Sequence, residues 1–268
     1  MSIRKAALAI FDNLEEMVAS RVSPKLGARL DDFQPKYRVS FTGPLNGQVQ
    51  RQRLVRELFR AVDFDEVLET GTNRGRTTEF FAHLFGGPIF TVEINPRYYY
   101  YARRRLVSYP NVALTLGDSR MMLRERTRHW TGPPKRIFAY LDAHYTLDAH
   151  RPWEEQDIPL HEELLLIAQR CESAVVLIDN FEVWDDPGYY SSALRWDYLP
   201  WSAMDGWRAY FPSAPSTEET GSKSGSILLL GPGLSADVAA QLPLRAAVAP
   251  GRGEPSASTA TSRSTTSS

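Results

Sequence analysis

Val67-Leu68-Glu69-Thr70-Gly71-Thr72-Asn73-Arg74-Gly75-Arg76-Thr77-Thr78 is an apolar run that ends in an acid, turns on two glycines and enters a stretch able to be helical, 78–85. Strand, tight loop and helix start, in that order, make the place where a parallel sheet holds a nucleotide-like ligand. The spacing narrows the choice. A dinucleotide loop needs G-x-G-x-x-G, and a phosphate-binding P-loop needs G-x-x-x-x-G-K-[ST]. Here Gly71 and Gly75 stand alone, without a third glycine or a lysine, so neither pattern is met.

Working outward, strand and helix alternate. Strands are expected at 65–69, 88–94, 112–116, 136–141 and 174–178. Helices fall between them at 76–85, from Pro96 onward, at 120–126 and at 159–170. Two last strands fit 207–211 and 226–230. That alternation predicts an α/β fold: a doubly wound, mostly parallel, seven-stranded Rossmann-like sheet with helices on both faces. Upstream, 48–62 reads as a helix with Val55, Leu58, Phe59 and Val62 on one face. Its arginines, Arg51, Arg53, Arg56 and Arg60, are read as a solvated face. Pro24, Gly27 and Pro35 break regularity and leave a connector to about residue 45. Ile3, Ala7, Ile10, Leu14 and Met17 form one face of an N-terminal helix. That face either caps the core or pairs with a second copy in a homodimer. The tail from about 250 carries Ser, Thr, Ala and Gly, with no large apolar residue, and is expected to be disordered. The expected division is thus 1–45 as N-terminal helix and connector, 46–245 as the ligand-binding domain, and 246–268 as tail.

Composition removes several function classes. Apolar residues make up 43% and charged residues 24%, with a net charge of −1. Such a chain builds a sizeable core but has no general pull on nucleic acid or an anionic membrane. The block Tyr98-Tyr99-Tyr100-Tyr101-Ala102-Arg103-Arg104-Arg105 invites a single-strand-binding reading. Four consecutive tyrosines, however, circle a helix, so some must be buried. No apolar run has the roughly 18 residues that would span a bilayer. The lone Cys171 excludes an internal disulfide and points to a reducing, cytoplasmic setting.

The chemistry lies at the strand ends. Glu69, Glu93, Asp118, Asp142 and Asp179 each close a successive strand. The carboxyl ends of a parallel sheet line its ligand crevice, where core packing has no use for charge. Asp142, Asp179 and Asn180 are hard oxygen donors on adjacent strands, a set suited to Mg²⁺ rather than Zn²⁺. His144, two residues beyond Asp142, stays near the crevice mouth and is the candidate general base.

Glu69-Thr70-Gly71-x₃-Gly75, Thr91-Val92-Glu93, Gly117-Asp118-Ser119, Tyr140-Leu141-Asp142-Ala143-His144 and Val176-Leu177-Ile178-Asp179-Asn180 together resemble a class I S-adenosylmethionine (SAM) methyltransferase. The acid after strand four, with Asp-Asn after strand five, is similar to the metal-dependent O-methyltransferases of the catechol type. It is similar also to the macrocin O-methyltransferase and cephalosporin hydroxylase group. The resemblance covers roughly 43–230. It implies SAM contacts at Gly71, Glu93, Asp118 and Ser119, and Mg²⁺ at Asp142, Asp179 and Asn180; Glu69, Thr70, Thr72 and Gly75 of the loop are read as further cofactor contacts. Glu69 would hold the loop or the cofactor ammonium, Glu93 the ribose hydroxyls and Asp118 the adenine amino group. The implied activity is methyl transfer to a hydroxyl of a small metabolite, a sugar or a natural product; Asp142 and His144, by their place at the crevice, are the candidate catalytic residues. The catechol enzymes carry a lysine shortly after the first metal aspartate, and this chain has Ala143-His144-Tyr145 there. The rival readings are an NAD(P)-linked oxidoreductase, disfavoured by the missing third glycine, a nucleic-acid methyltransferase, and a non-catalytic or hydroxylating relative.

Overall fold

The computed structural model describes residues 22–31, 43–130, 135–143, 157–190 and 194–248. The N-terminal helix with its proposed dimer face, His144 and the tail beyond 248 lie outside these residues.

Eight strands form one sheet in the order β3-β2-β1-β4-β5-β7-β6-β8. They are β1 (Glu66–Thr70), β2 (Ile89–Glu93), β3 (Val112–Leu116), β4 (Ile137–Leu141), β5 (Ala174–Asp179), β6 (Arg208–Pro212), β7 (Ser226–Leu230) and β8 (Leu244–Ala246). β3 through β5 run parallel, while β7 pairs antiparallel with both β5 and β6, and β8 antiparallel with β6. The expected doubly wound sheet is present with one strand more than the seven anticipated. The addition, β8, is a three-residue edge strand, Leu-Arg-Ala, too short to carry a period. β1, β4, β5 and β7 are buried at every position, as strands covered on both faces must be.

Helices α1 (Pro24–Asp31), α2 (Val49–Ala61), α3 (Arg76–Leu84), α4 (Pro96–Arg105), α5 (Ser119–Arg128), α6 (Leu160–Ala168) and α7 (Ala236–Ala240) complete the described chain. Alternation along the strands separates two cores. Leu54, Val55 and Leu58 of α2 and Phe81 of α3 pack with Val67, Phe138, Tyr140 and Leu177 on one side. The Phe59 and Phe81 rings each meet the Phe138 edge, at 5.1 and 5.5 Å between centroids. Leu123 of α5 and Leu164 of α6 pack with Leu68, Ala139 and Ile178 on the other, joined by Phe181, Leu194 and Tyr198.

Helix α1 corrects the expectation of a connector. Pro24 opens it, at a position where a missing N–H costs nothing. Its buried Asp31 accepts a hydrogen bond from Arg97 Nε at 3.1 Å, and Arg104 Nη2 donates to Ala28 O at 2.6 Å, so α1 is fastened to α4. The tyrosine block follows the helical prediction: Tyr101 is buried and Tyr98, Tyr99 and Tyr100 are half-buried. No helix among the described residues is long and apolar enough to cross a membrane.

Candidate active site

Strand order reverses between β1 and β4, and the crevice opens at the carboxyl ends there. The two-residue period sorts the side chains around it. Glu69, Asp142 and Asp179 continue the faces of Val67, Tyr140 and Leu177, toward α2 and α3. Thr70 continues the face of Leu68, toward α5 and α6.

Glu69 is fully buried. Its Oε2 accepts from the Thr78 hydroxyl and from Thr91 Oγ1 at 2.6 Å, and Thr91 also meets Thr72 Oγ1 at 2.5 Å. Its Oε1 is buried without a hydrogen bond among the described residues. Burial pushes the carboxyl up to about 7, against the pull of the two threonines. An acid with one oxygen anchored and the other bare has a place for one more donor.

Both glycines of the loop have left-handed φ, and both serve close packing within the protein. Gly71, at φ 83°, lies so near the end of β4 that a Cβ would stand 2.5 Å from Asp142 O. Gly75, at φ 76°, caps α3, and its Cβ would come 3.2 Å from Leu106 Cδ1. Glu93 then pins the loop from below. Its Oε2 accepts from Asn73 N at 2.6 Å and its Oε1 from Asn95 N at 2.7 Å. Burial raises its carboxyl, partly offset by those N–H groups and by Arg74.

Asp118 caps α5 through Arg120 N at 2.8 Å and grips the Arg120 guanidinium, Nη2 to Oδ2 at 2.6 Å. The guanidinium reaches on to Asp157 Oδ2 at 2.9 Å and holds the Asp118 carboxyl below its ordinary value. Ser119, the first residue of α5, is buried and faces Glu163. Glu163, to which the sequence reading gave no role, is itself completely buried. It faces the Ser119 and Thr70 hydroxyls, which pull its carboxyl down, but among the described residues its oxygens and Thr70 Oγ1 lie outside hydrogen-bonding geometry. Burial pushes it up to about 7. The signal was present: Leu160, Glu163, Leu164 and Ile167 follow helical spacing, which puts Glu163 on the apolar stripe of α6.

The three residues expected to hold Mg²⁺ do meet at the ends of β4 and β5, but not as a cation site. Asp179 is fully buried and already engaged. Its Oδ1 accepts from Arg51 Nη1 at 2.6 Å, Ser224 Oγ at 2.7 Å and Asn180 N at 2.7 Å. Its Oδ2 accepts from Asn46 Nδ2 at 2.9 Å and from the Tyr140 hydroxyl. A carboxylate offers about four lone-pair sites, and these donors fill them. Asn180, at φ 56°, turns its amide N–H toward Asp142 Oδ1 at 3.2 Å, so it meets a carboxylate as a donor. Among the described residues no group of three His, Cys, Asp or Glu side chains is placed to share a metal. The donor set does not fit Mg²⁺. Burial alone would raise the Asp179 carboxyl, but Arg51, Tyr140 and Ser224 outweigh it and hold it below the usual range. Among the described residues Asp142 meets the Asn180 amide and a 3.5 Å approach from Tyr140 OH, and burial together with the Asp179 charge lifts it well above the usual range. Arg51 also corrects the reading of its helix as uniformly solvated, since it is 2% exposed while Arg53 is 69% exposed.

No protein-family pattern matches the sequence, and no curated protein is similar to it in sequence. The likeness is one of shape. A Staphylococcus aureus structure named for a caffeoyl-CoA O-methyltransferase aligns over 82% of this chain and 98% of its own, with 16% identity and a TM-score of 0.50. The chain shares that structure's doubly wound α/β fold. The O-methyltransferase TomG of Streptomyces achromogenes, involved in tomaymycin synthesis and solved with SAM, aligns over 69% of this chain and 79% of its own, with 17% identity and a TM-score of 0.48. An O-methyltransferase from Bacillus cereus, solved with S-adenosylhomocysteine, aligns over 67% and 78%, with 17% identity and a TM-score of 0.46. A fold hosts many reactions, so the chemistry must be argued from the side chains.

Proposed function

We propose that this chain transfers a methyl group from SAM to a hydroxyl of a small metabolite, a sugar or a natural product. The observation that carries the reading is Glu69, a buried carboxylate with one bare oxygen at the switch point of this fold. A cofactor ammonium would give Oε1 its missing donor and supply the opposite charge that burial withholds. Glu93 accepts one N–H on each oxygen and keeps a lone pair on each for the two ribose hydroxyls. Asp118 and Ser119 are assigned to the adenine end.

Bound SAM supplies a methyl group on a sulfonium, already electrophilic, so the protein's contribution is chiefly position. The acceptor enters beside Asp142, which is half-buried at the crevice and meets the Asn180 side-chain amide. Its raised proton affinity suits it to take the proton of a hydroxyl as the oxygen attacks. His144, two residues further along the chain, is the second candidate for that proton. Tyr140 is excluded as the base because its hydroxyl donates to Asp179 and is held protonated by burial and the neighbouring acids. No step in this scheme passes through a metal ion.

Calorimetry with S-adenosylhomocysteine and NADH tests the reading. The homocysteine product should bind the wild-type chain, and Glu69→Gln should weaken it roughly 10- to 100-fold, the loss of one charge-assisted hydrogen bond. Tight NADH binding with no response to S-adenosylhomocysteine overturns it.

A further inference from the structure

We infer that Arg51 is the resident cation of this site: it neutralises Asp179 from within the chain, and no divalent ion shares that carboxylate. The inference deepens the methyl-transfer reading and rests on it for the reaction, while the question of the ion rests on Asp179 alone.

Arg51 is built into place from both ends. Its backbone N–H donates to Glu219 Oε1 at 2.9 Å, and Gln50 N donates to Glu219 Oε2 at 3.3 Å, so the start of α2 is held by a carboxylate from the opposite end of the chain. Its Nη1 meets Asp179 Oδ1 at 2.6 Å and its Nη2 donates to Ser224 O. Ser224 in turn donates to the same Asp179 oxygen and is touched by Gln48 Nε2, which bonds Ser224 O at 2.8 Å and Ser222 O at 2.7 Å. Asn46 joins Asp179 and Ser224 from the strap 44–47. The guanidinium thus meets its acceptors through Nη1 and Nη2, its Nε buried without an acceptor among the described residues, with 2% of its surface exposed, and Asp179 with none.

An ion at Asp179 would have to displace several of these donors at once and stand against a fixed positive charge. Breaking a buried pair leaves an uncompensated charge, which is costly. Arginine cannot lose its proton in a protein, so the countercharge is permanent. Its planar fork also fixes the direction of the carboxylate. The sequence motif at the ends of β4 and β5 therefore retains its oxygen ligands while α2 supplies the cation.

The test is a titration of the full chain with Mn²⁺, read by the electron paramagnetic resonance of the free ion, with and without S-adenosylhomocysteine. The expected result is no saturable binding up to millimolar ion, and the same affinity for S-adenosylhomocysteine in EDTA as in MgCl₂. One equivalent of Mn²⁺ bound by the wild type and lost in Asp179→Asn overturns the inference. If S-adenosylhomocysteine fails to bind under either condition, the methyl-transfer reading falls, and the manganese titration still decides the ion. Arg51→Met supplies a readout that a merely structural arginine would not move. It leaves Asp142 and Asp179 without their cation, and Mn²⁺ should raise its melting temperature but not that of the wild type. Equal shifts in both proteins count against the inference, and if the variant fails to fold the wild-type titration decides.

Discussion

Arg51 and Glu163 are the two residues that change the reading of the site, and each lies on the apolar stripe of a helix. Arg51 precedes Val55, Leu58 and Val62 by helical steps, and Glu163 falls between Leu160, Leu164 and Ile167. Charge hid them, since a charged residue on a helix is usually solvated, while their spacing put them inside. The acids at the strand ends were legible because a strand that stops in Asp or Glu is visible in one dimension. Their partners were not, because Arg51 and Asp179 are 128 positions apart. Removing one member of that buried pair has a defined cost. Asp179→Asn should lose about 3–5 kcal/mol of stability in urea unfolding. The buried acids predict a pH dependence of the opposite sense to ordinary acid denaturation. Glu69 and Glu163 both rise from 4.5 to about 7 on folding, so the folded state binds more protons than the unfolded state between those values. Their protonated forms are therefore accommodated below about pH 4.5, and stability falls as pH climbs toward and past 7, by roughly 3 kcal/mol for each fully shifted group. Glu163→Gln should accordingly melt higher than the wild type at alkaline pH and close to it in acid. Thermal melts across that range check the sign, and a variant less stable at alkaline pH would contradict it.

At the scale of elements, apolar runs foretold the strands well. Those at 112–116 and 226–230 match β3 and β7 residue for residue, and the others differ by one residue at an end or two. What failed was punctuation. Pro24 was read as a breaker, although proline at a first helical turn begins a helix as readily as it ends one. Only the ion pair to α4 decides between the two, and that partner lies 66 positions away. Asp31→Ala should therefore speed amide hydrogen exchange across 24–31 while leaving protection in β1, β4 and β5 unchanged. The glycine loop offers a sharper contrast. Gly71→Ala sets a Cβ 2.5 Å from the Asp142 carbonyl oxygen at φ 83°, with backbone on both sides of the clash. It should lower stability by about 2–4 kcal/mol, in the range of overpacking combined with backbone strain. Gly86→Ala meets nothing within 4 Å and should leave the melting temperature nearly unchanged. Parallel melts of the two variants separate a steric glycine from a permissive one.

For the whole molecule, the sheet shows how far its centre depends on its last third. β7 is inserted between β5 and β6 and runs against its neighbours, so β5 stays an unpaired edge until residues 226–230 arrive. A chain ending near residue 200 should expose that edge, fully apolar from Ala174 to Ile178, and aggregate on expression. Soluble, monomeric protein from such a truncation would count against this view. Fold class was readable because parallel strands with helical crossovers allow few topologies. The charge balance of the site was not readable, since it is assembled from positions 46, 51, 140, 179, 180 and 224. That dispersal has a consequence in time. During synthesis Arg51 emerges long before Asp179, and Asp179 before Ser224. For that interval the nascent chain carries first a cation with no partner and then an ion pair with no lid. The loop closures required are long, and long closures are slow. The pocket should therefore be the last part of the protein to mature, after both hydrophobic layers have formed, and refolding should show cofactor affinity returning later than the fluorescence of the six tryptophans.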